Sequence, residues 1–340
     1  MKPFPLLLLF ALPLAAHPNH EASVHNDDLD LKQAHTDPPA RNQVSIRVAG
    51  KRRIIQSNGI PDHDTGQFPS RNNPNSITEQ SYSFEIPVKP EVSSRGTAVG
   101  HNLFGVALNG VVFDPATAEY YRNDRSSDWN YEALGGAVDL GLDDHHAHVQ
   151  PTGAYHYHGL PSGLFERLSG GKQQMTLVGW AADGFPIYGL YGYKDPKDAK
   201  SGVVKVRSSY RLKQGTRQGS AAPRGKHDGT YTSDYEYVDG LGDLDECNGR
   251  FGVTPEFPEG SYHYILSEDY PFIPRLFRGE PNRTFMKGGP GGGQRGGPPG
   301  GGPPVGGGRP QGPPPGSDRR PPFGHPPHGN PPEGPPPGRR

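Results

Sequence analysis

Hydrophobic and polar residues alternate along much of this chain with a period of two, which is the pattern of half-buried β-strands. Residues 44–48 (VSIRV) and 82–88 (YSFEIPV) follow it most clearly. Gly-, Pro- and Asn-rich stretches separate these segments, as expected for turns and loops. Further strands are predicted at residues 176–180, 186–191, 203–206, 235–238 and 261–266.

One segment predicts a tight hairpin, because Asn109-Gly110 lies between two apolar stretches that end at Leu108 and begin at Val111. Helical patterns are scarce. Residues 161–171 resemble a short helix, with Ser162 as its N-cap and Gly170 as its stop. The predicted fold class is therefore all-β, a mainly antiparallel sandwich or barrel-like domain with long Gly/Pro-rich loops and few short helices.

The two ends of the chain differ in composition from its middle. Residues 1–16 resemble a secretory signal peptide, with Lys2 before an apolar core and Ala15-Ala16 at the cleavage position. Residues 17–43 are predicted to be a flexible His-rich leader, and residues 281–340 a disordered Gly/Pro-rich tail. Residues 44–280 remain as the β domain, and we expect a secreted or periplasmic protein.

Composition limits the function classes. The formal net charge of -1 argues against a nucleic-acid-binding protein, which would carry a basic face. No stretch reaches the roughly 20 apolar residues that a membrane span needs. Cys247 is the only cysteine, so an intrachain disulfide is excluded, and it has no visible activating partner. The expected binding partner is therefore an unknown small molecule or surface polymer.

The candidate chemistry is concentrated in HHAHVQPTGAYHYHG at residues 145–159. In an extended segment His156 and His158 share one face, while Tyr155 and Tyr157 share the other. Three imidazoles with a water or a carboxylate suit zinc or copper, so we predict a metal site made by His156 and His158 with either His148 or His263. The alternative is that these histidines are structural and donate to carbonyl or carboxylate groups.

His263 is included in this prediction because a short sequence motif occurs twice. The sequence GAYHY at residues 153–157 recurs as GSYHY at residues 260–264, although a full repeat is not visible. Both segments are expected to place tyrosine on one face and histidine on the other. Asp144 and Asp183 are the expected carboxylate partners of the ligating histidines, since such a histidine often donates its other N–H to an acid.

Two other segments of the chain are candidate sites. Asp243, Asp245 and Glu246 lie in an acidic loop that offers oxygen ligands for calcium, although the loop departs from the EF-hand pattern. His63 follows Asp62 in the sequence GIPDHD, and a histidine oriented by a carboxylate can act as a general base. An acidic turn and an ordinary loop are the alternative interpretations of these two segments.

The sequence Tyr155-His156-Tyr157-His158 resembles the signature of the YHYH domain family. Four neighbouring phrases fit the same family: GIPDHDTGQFP, ALNGVVFDP, GWAADGFPIYG and GDLDECNGRFGVTPEFPEGSYHY. The resemblance spans most of residues 44–279. It implies a domain that is common in exported proteins, and it does not by itself imply a reaction.

These observations predict an exported domain that binds a divalent metal through its central histidines and acts as a binding module. A metal-dependent hydrolase or oxidase that uses the same residues is the second interpretation. A structural or surface-organisation domain is the third. The first two differ in whether the metal keeps an open coordination position that faces a cleft.

Overall fold

The structure is a computed structural model that describes residues 35–288. The predicted signal peptide, most of the leader and most of the tail lie outside these residues. Within residues 35–288 no helix has the length and hydropathy needed to cross a bilayer. The α-helix α1 spans Ser162–Ser169, and short 3₁₀ helices occupy Tyr121–Asn123, Thr232–Asp234 and Arg283–Phe285.

Regular secondary structure within residues 35–288 is mainly β, which confirms the predicted fold class. The strands are β1 (Val44–Ala49), β2 (Arg52–Ser57), β3 (Tyr82–Pro87), β4 (Thr97–Ala98), β5 (Gly105–Ala107), β6 (Val112–Phe113), β7 (Ala147–Val149), β8 (Tyr155–Tyr157), β9 (Leu177–Ala181), β10 (Pro186–Gly189), β11 (Tyr191–Tyr193), β12 (Val203–Lys205), β13 (Tyr210–Leu212), β14 (Tyr235–Tyr237), β15 (Gly249–Gly252), β16 (Ser261–Leu266) and β17 (Leu276–Phe277).

A curled sheet of eight strands, in the order β15-β16-β10-β9-β5-β6-β8-β7, forms the centre of the domain. Strands β1, β2 and β3 form a separate antiparallel sheet whose inner side chains, including Phe84 and Ile86, belong to the main hydrophobic core. The outer strand β1 departs from the prediction. Its alternating residues Val44, Ile46 and Val48 are exposed rather than half-buried.

The predicted hairpin and the predicted helix are both present. Asn109-Gly110 does connect a hairpin, β5 to β6, and Gly110 has the positive φ of 83° that such turns favour. Gly170 ends the helix in the left-handed conformation, as predicted. Ser162, however, is the first helical residue, and Pro161 precedes it as the cap. The Ser162 hydroxyl is instead bonded to the Asp144 carbonyl.

The eight-stranded sheet consists of two equivalent halves. Strands β5 and β9 meet at its centre with a symmetric register, Gly105 opposite Ala181 and Ala107 opposite Gly179. On each side the order is the same: a hairpin (β5–β6 or β9–β10), a parallel neighbour (β8 or β16) and an antiparallel outer strand (β7 or β15).

Side-chain contacts repeat as well. The Tyr155 hydroxyl donates to Asp143, and the equivalent Tyr262 hydroxyl donates to Asp245. The GAYHY and GSYHY segments thus occupy equivalent positions in the two halves, and tyrosine and histidine lie on opposite faces in both strands.

Candidate metal centre

Strand pairing brings the central histidines together. A tight turn at residues 150–153 joins β7 to β8, and its register places His148 directly opposite His156. Side chains directly opposite on neighbouring strands point to the same face. His158 follows His156 by two residues and returns to that face. We call His148, His156 and His158 the central triad.

The Nε2 atoms of the central triad converge. His158 Nε2 lies 3.0 Å from His156 Nε2 and 3.1 Å from His148 Nε2. Three nitrogens bound to one tetrahedral zinc at 2.0–2.1 Å would be about 3.3 Å apart. The observed spacing is therefore close to that of a ligand set, and the three residues form a group able to hold a metal ion.

The other ring nitrogens determine which tautomers are present. His148 Nδ1 lies 2.8 Å from the Leu140 carbonyl oxygen, and His156 Nδ1 lies 3.1 Å from the Ala154 carbonyl oxygen. A carbonyl can only accept a hydrogen bond, so both Nδ1 atoms carry the proton. Their Nε2 atoms consequently present lone pairs, and both lone pairs face His158 Nε2.

His158 cannot satisfy both neighbours. A neutral imidazole has one N–H, so at most one of the two Nε2 contacts is a hydrogen bond and the other brings two lone pairs together. His158 Nδ1 is buried and has no hydrogen-bond partner within residues 35–288. All three Nε2 atoms can therefore offer lone pairs to a single cation.

Protonation of a triad histidine is an unfavourable way to remove the repulsion between these Nε2 lone pairs. His156 and His158 are 2 % exposed, and burial lowers the pKa of both well below the usual histidine value. The neighbouring imidazoles lower these pKa values further. Burial also lowers the pKa of His148. The triad is thus held neutral at neutral pH, which is the state that binds metals.

The central triad borders a cavity of about 710 Å³, which is within the usual range for small-molecule sites. Asp114 lies in its wall, where its Oδ2 accepts from Gln150 Nε2 at 3.0 Å and from Lys287 Nζ at 2.5 Å. Asp114 Oδ1 is buried without a hydrogen-bond partner among the described residues. Sequence reasoning missed Asp114, although it directly follows Phe113, the last residue of β6.

Of the two alternatives for the third histidine, His148 lies with His156 and His158, whereas His263 does not. It lies on β16 in the second half of the sheet, where it occupies the position equivalent to His156. Its Nδ1 also faces a carbonyl oxygen, that of Ser261, at 3.1 Å. The residue opposite it is Arg250 rather than a histidine, so the second half lacks the ligand set of the first.

The predicted carboxylate partners also lie elsewhere. Asp183 accepts from the Tyr264 hydroxyl and from Gly279 N at 2.9 Å, in the second half of the sheet. Asp144 lies beside His35, with 3.4 Å between its Oδ2 and His35 Nε2. Main-chain carbonyls take the place that carboxylates were expected to occupy beside the triad.

The carboxylates of the acidic loop have separate partners and do not converge. Asp243 is bonded to Arg207 N, and Asp245 accepts from the main-chain N–H groups of Cys247 and Gly249. Glu246 lies 3.8 Å from Arg278. Within residues 35–288 these three carboxylates are not among the groups that converge on a common point. They stabilise a turn instead.

His63 has partners other than the predicted carboxylate. Its Nδ1 donates to the Asp64 carbonyl at 2.6 Å, and its Nε2 accepts from the Tyr157 hydroxyl at 2.7 Å. Asp62 is bonded to Asn109 and Arg167. Both His63 nitrogens are thus engaged, which does not suit a free general base.

Comparison with known proteins gives one match. Residues 83–279 fit the sequence profile of a family described as YHYH protein, and this segment covers more than half of the chain and the whole central triad. Neither the curated proteins nor the solved structures contain a significant match.

Proposed function

The chain belongs to the YHYH family, and we propose that it is an exported divalent-metal-binding module in which His148, His156 and His158 hold zinc or copper. The observation that carries this proposal is the convergence of three Nε2 atoms, two of which have lone pairs fixed by their carbonyl partners. Imidazole nitrogen suits both metals.

The second half of the sheet provides independent support. There, Arg250 pairs with His263 across the strands, and its positive charge adds to burial in lowering the pKa of His263, so a permanent cation lies near the lone histidine. Arg250 corresponds in position to His148. A bound metal ion would supply in the first half the positive charge that Arg250 supplies in the second.

The proposal is tested by elemental analysis of protein purified without an affinity His-tag. His156→Ala should contain one equivalent of zinc or copper less than the wild type. His263→Ala is the matched control, since both residues are almost fully buried and both donate from Nδ1 to a carbonyl at 3.1 Å. The control should retain the metal. Equal metal content in wild type and His156→Ala would overturn the proposal.

A metal-dependent hydrolase or oxidase is the second candidate, and the cavity beside the triad favours it. A fourth coordination position that faces this cavity could hold a water of lowered pKa. Asp114 lines the same cavity and could orient or deprotonate a group bound there. Zinc-dependent hydrolysis of an activated ester that is lost in Asp114→Asn, with metal content unchanged, would favour the enzyme over the binding module.

A further inference from the structure

The opposite face of β8 carries a second group of histidines, on the side of Tyr155 and Tyr157. His63 contacts both tyrosine rings, and the His145 ring packs edge-on against His63 with 4.4 Å between centroids. His35 lies next to His145 with 6.0 Å between ring centroids. This group is separate from the central triad because alternate residues of β8 point to opposite faces.

Main-chain pairing fixes the position of His35. Thr36 and Thr65 exchange two N–H to carbonyl hydrogen bonds of 2.9 Å, which holds the segment before β1 against the loop that contains Asp64. As a result, His35 Nδ1 lies 3.1 Å from Asp64 Oδ2. The other oxygen, Asp64 Oδ1, lies 3.8 Å from His145 Nε2.

The His145 ring is held with its Nε2 atom facing this carboxylate. His145 is 8 % exposed, and its Nε2 is buried with no hydrogen-bond partner in the described part of the chain. A buried polar atom of this kind carries a substantial desolvation penalty unless something pairs with it. One ligand atom each from His35, Asp64 and His145 lies within 4.8 Å of the other two.

The remaining ring nitrogens have the partners that metal-bound histidines need. His35 Nε2 lies 3.4 Å from Asp144 Oδ2, so it can donate to that carboxylate while Nδ1 binds an ion. His145 Nδ1 lies 2.9 Å from the Ser162 hydroxyl, which donates its own proton to the Asp144 carbonyl and can accept from Nδ1. Asp144 therefore supports both imidazoles.

Gly163 N–H competes for the same nitrogen, since it lies 3.1 Å from His145 Nδ1. When this contact is made, the single proton of the neutral ring is on Nε2. Gly163 is in the first turn of α1, where N–H groups have no partner within the helix and can turn to water. An ion at Nε2 would displace that proton and favour the contact between Nδ1 and Ser162.

We propose that His35, Asp64 and His145 form a second divalent-metal site, and that the ion fixes residues 35–43 onto the domain. Two imidazoles with one carboxylate are a common ligand set for zinc and other first-row divalent ions. His35 and Asp64 are exposed enough to adjust by the small distances that coordination requires. This proposal does not depend on metal binding by the central triad.

The experiment uses the full chain carrying His158→Ala, which disables the central triad, and titrates it with zinc by calorimetry. One equivalent should bind. Adding His35→Ala or Asp64→Asn should abolish this binding, and both side chains are exposed, so neither change opens a cavity in the core. Asp37→Asn, which removes one exposed negative charge two residues from His35, is the control and should keep the equivalent.

A second measurement distinguishes zinc binding at a defined site from nonspecific binding at the surface. Trypsin cleavage after Arg41, followed by mass spectrometry, reports how often residues 35–43 leave the domain. Zinc at ten times its Kd should slow this cut about tenfold in the His158→Ala protein and leave it unchanged once Asp64→Asn is added. No zinc binding in His158→Ala, or binding that survives His35→Ala and Asp64→Asn, would overturn the second site. Failure of the triad proposal would give a different result, because the zinc content of the wild type and of His158→Ala would then be equal.

Discussion

Replacing His158 with alanine is the sharpest perturbation of the central triad, because His158 Nε2 contacts both other Nε2 atoms. When free zinc is held at 100 times the wild-type Kd, binding should stabilise the wild type by about 2.7 kcal/mol. A variant with an affinity at least 100-fold weaker would keep at most about 0.4 kcal/mol of this at the same zinc concentration. The expected zinc-dependent difference is therefore about 2.3 kcal/mol.

The assay is thermal unfolding of both proteins in a zinc buffer and in chelator. For a domain of this size, about 2.3 kcal/mol corresponds to roughly 5–9 °C in Tm. The loss of packing at residue 158 is common to both conditions and cancels in the comparison, as does any zinc bound by His35, Asp64 and His145. His263→Ala is the control and should respond to zinc as the wild type does.

Non-additivity gives a further check. Ligands of one site act as a unit, so His156→Ala combined with His158→Ala should lose little more zinc-dependent stability than either change alone. If His158→Ala gains as much stability from zinc as the wild type, or if the two losses add fully, the histidines are independent core residues and the reasoning fails.

Burial lowers the pKa of His263 from 6.5 to about 4, so the folded state binds fewer protons in this window. In chelator, the contribution of His263 to the free energy of unfolding should therefore fall by about 3 kcal/mol as the pH is lowered from 7 to 4, and urea unfolding of His263→Phe should show a correspondingly weaker pH dependence. Equal pH dependence in both proteins would contradict this. Phe285 is buried and stacks on Phe84 with 4.2 Å between ring centroids. Replacing Phe285 with alanine should lower the free energy of unfolding, measured by urea unfolding, by about 3–5 kcal/mol. Deleting residues 289–340 should leave Tm nearly unchanged, because this Gly/Pro-rich segment has few apolar side chains to bury. A fall in Tm of many degrees would refute this prediction. N-terminal sequencing of exported protein should begin near His17, and an intact Met1 would refute export.

Much of the fold class could be predicted from local patterns. The period-two alternation in β3 and the Asn109-Gly110 turn were sufficient because each depends on neighbouring residues. The pairing of β6 with β8 and of β10 with β16 is parallel and joins distant segments, so no local signal specifies it. Strands such as β7 and β15 are only three or four residues long, which is too short for a clear period.

The central triad was predictable for the same reason. A turn at residues 150–153 and a spacing of two residues were enough to bring His148 towards His156 and His158. His263 carried a similar local signature but lies in the other half of the sheet, where Arg250 stands opposite it and Ile265 occupies the position equivalent to His158. The carbonyl partners at Leu140 and Ala154 could not be foreseen, because every residue carries a carbonyl.

The central claim is tested most directly by anomalous diffraction from crystals grown with zinc, recorded on both sides of the zinc absorption edge. We predict an anomalous peak between the three Nε2 atoms of His148, His156 and His158, about 2.0–2.1 Å from each. The peak should be absent in crystals of His158→Ala. A wild-type map with no anomalous density among these three nitrogens would contradict the account.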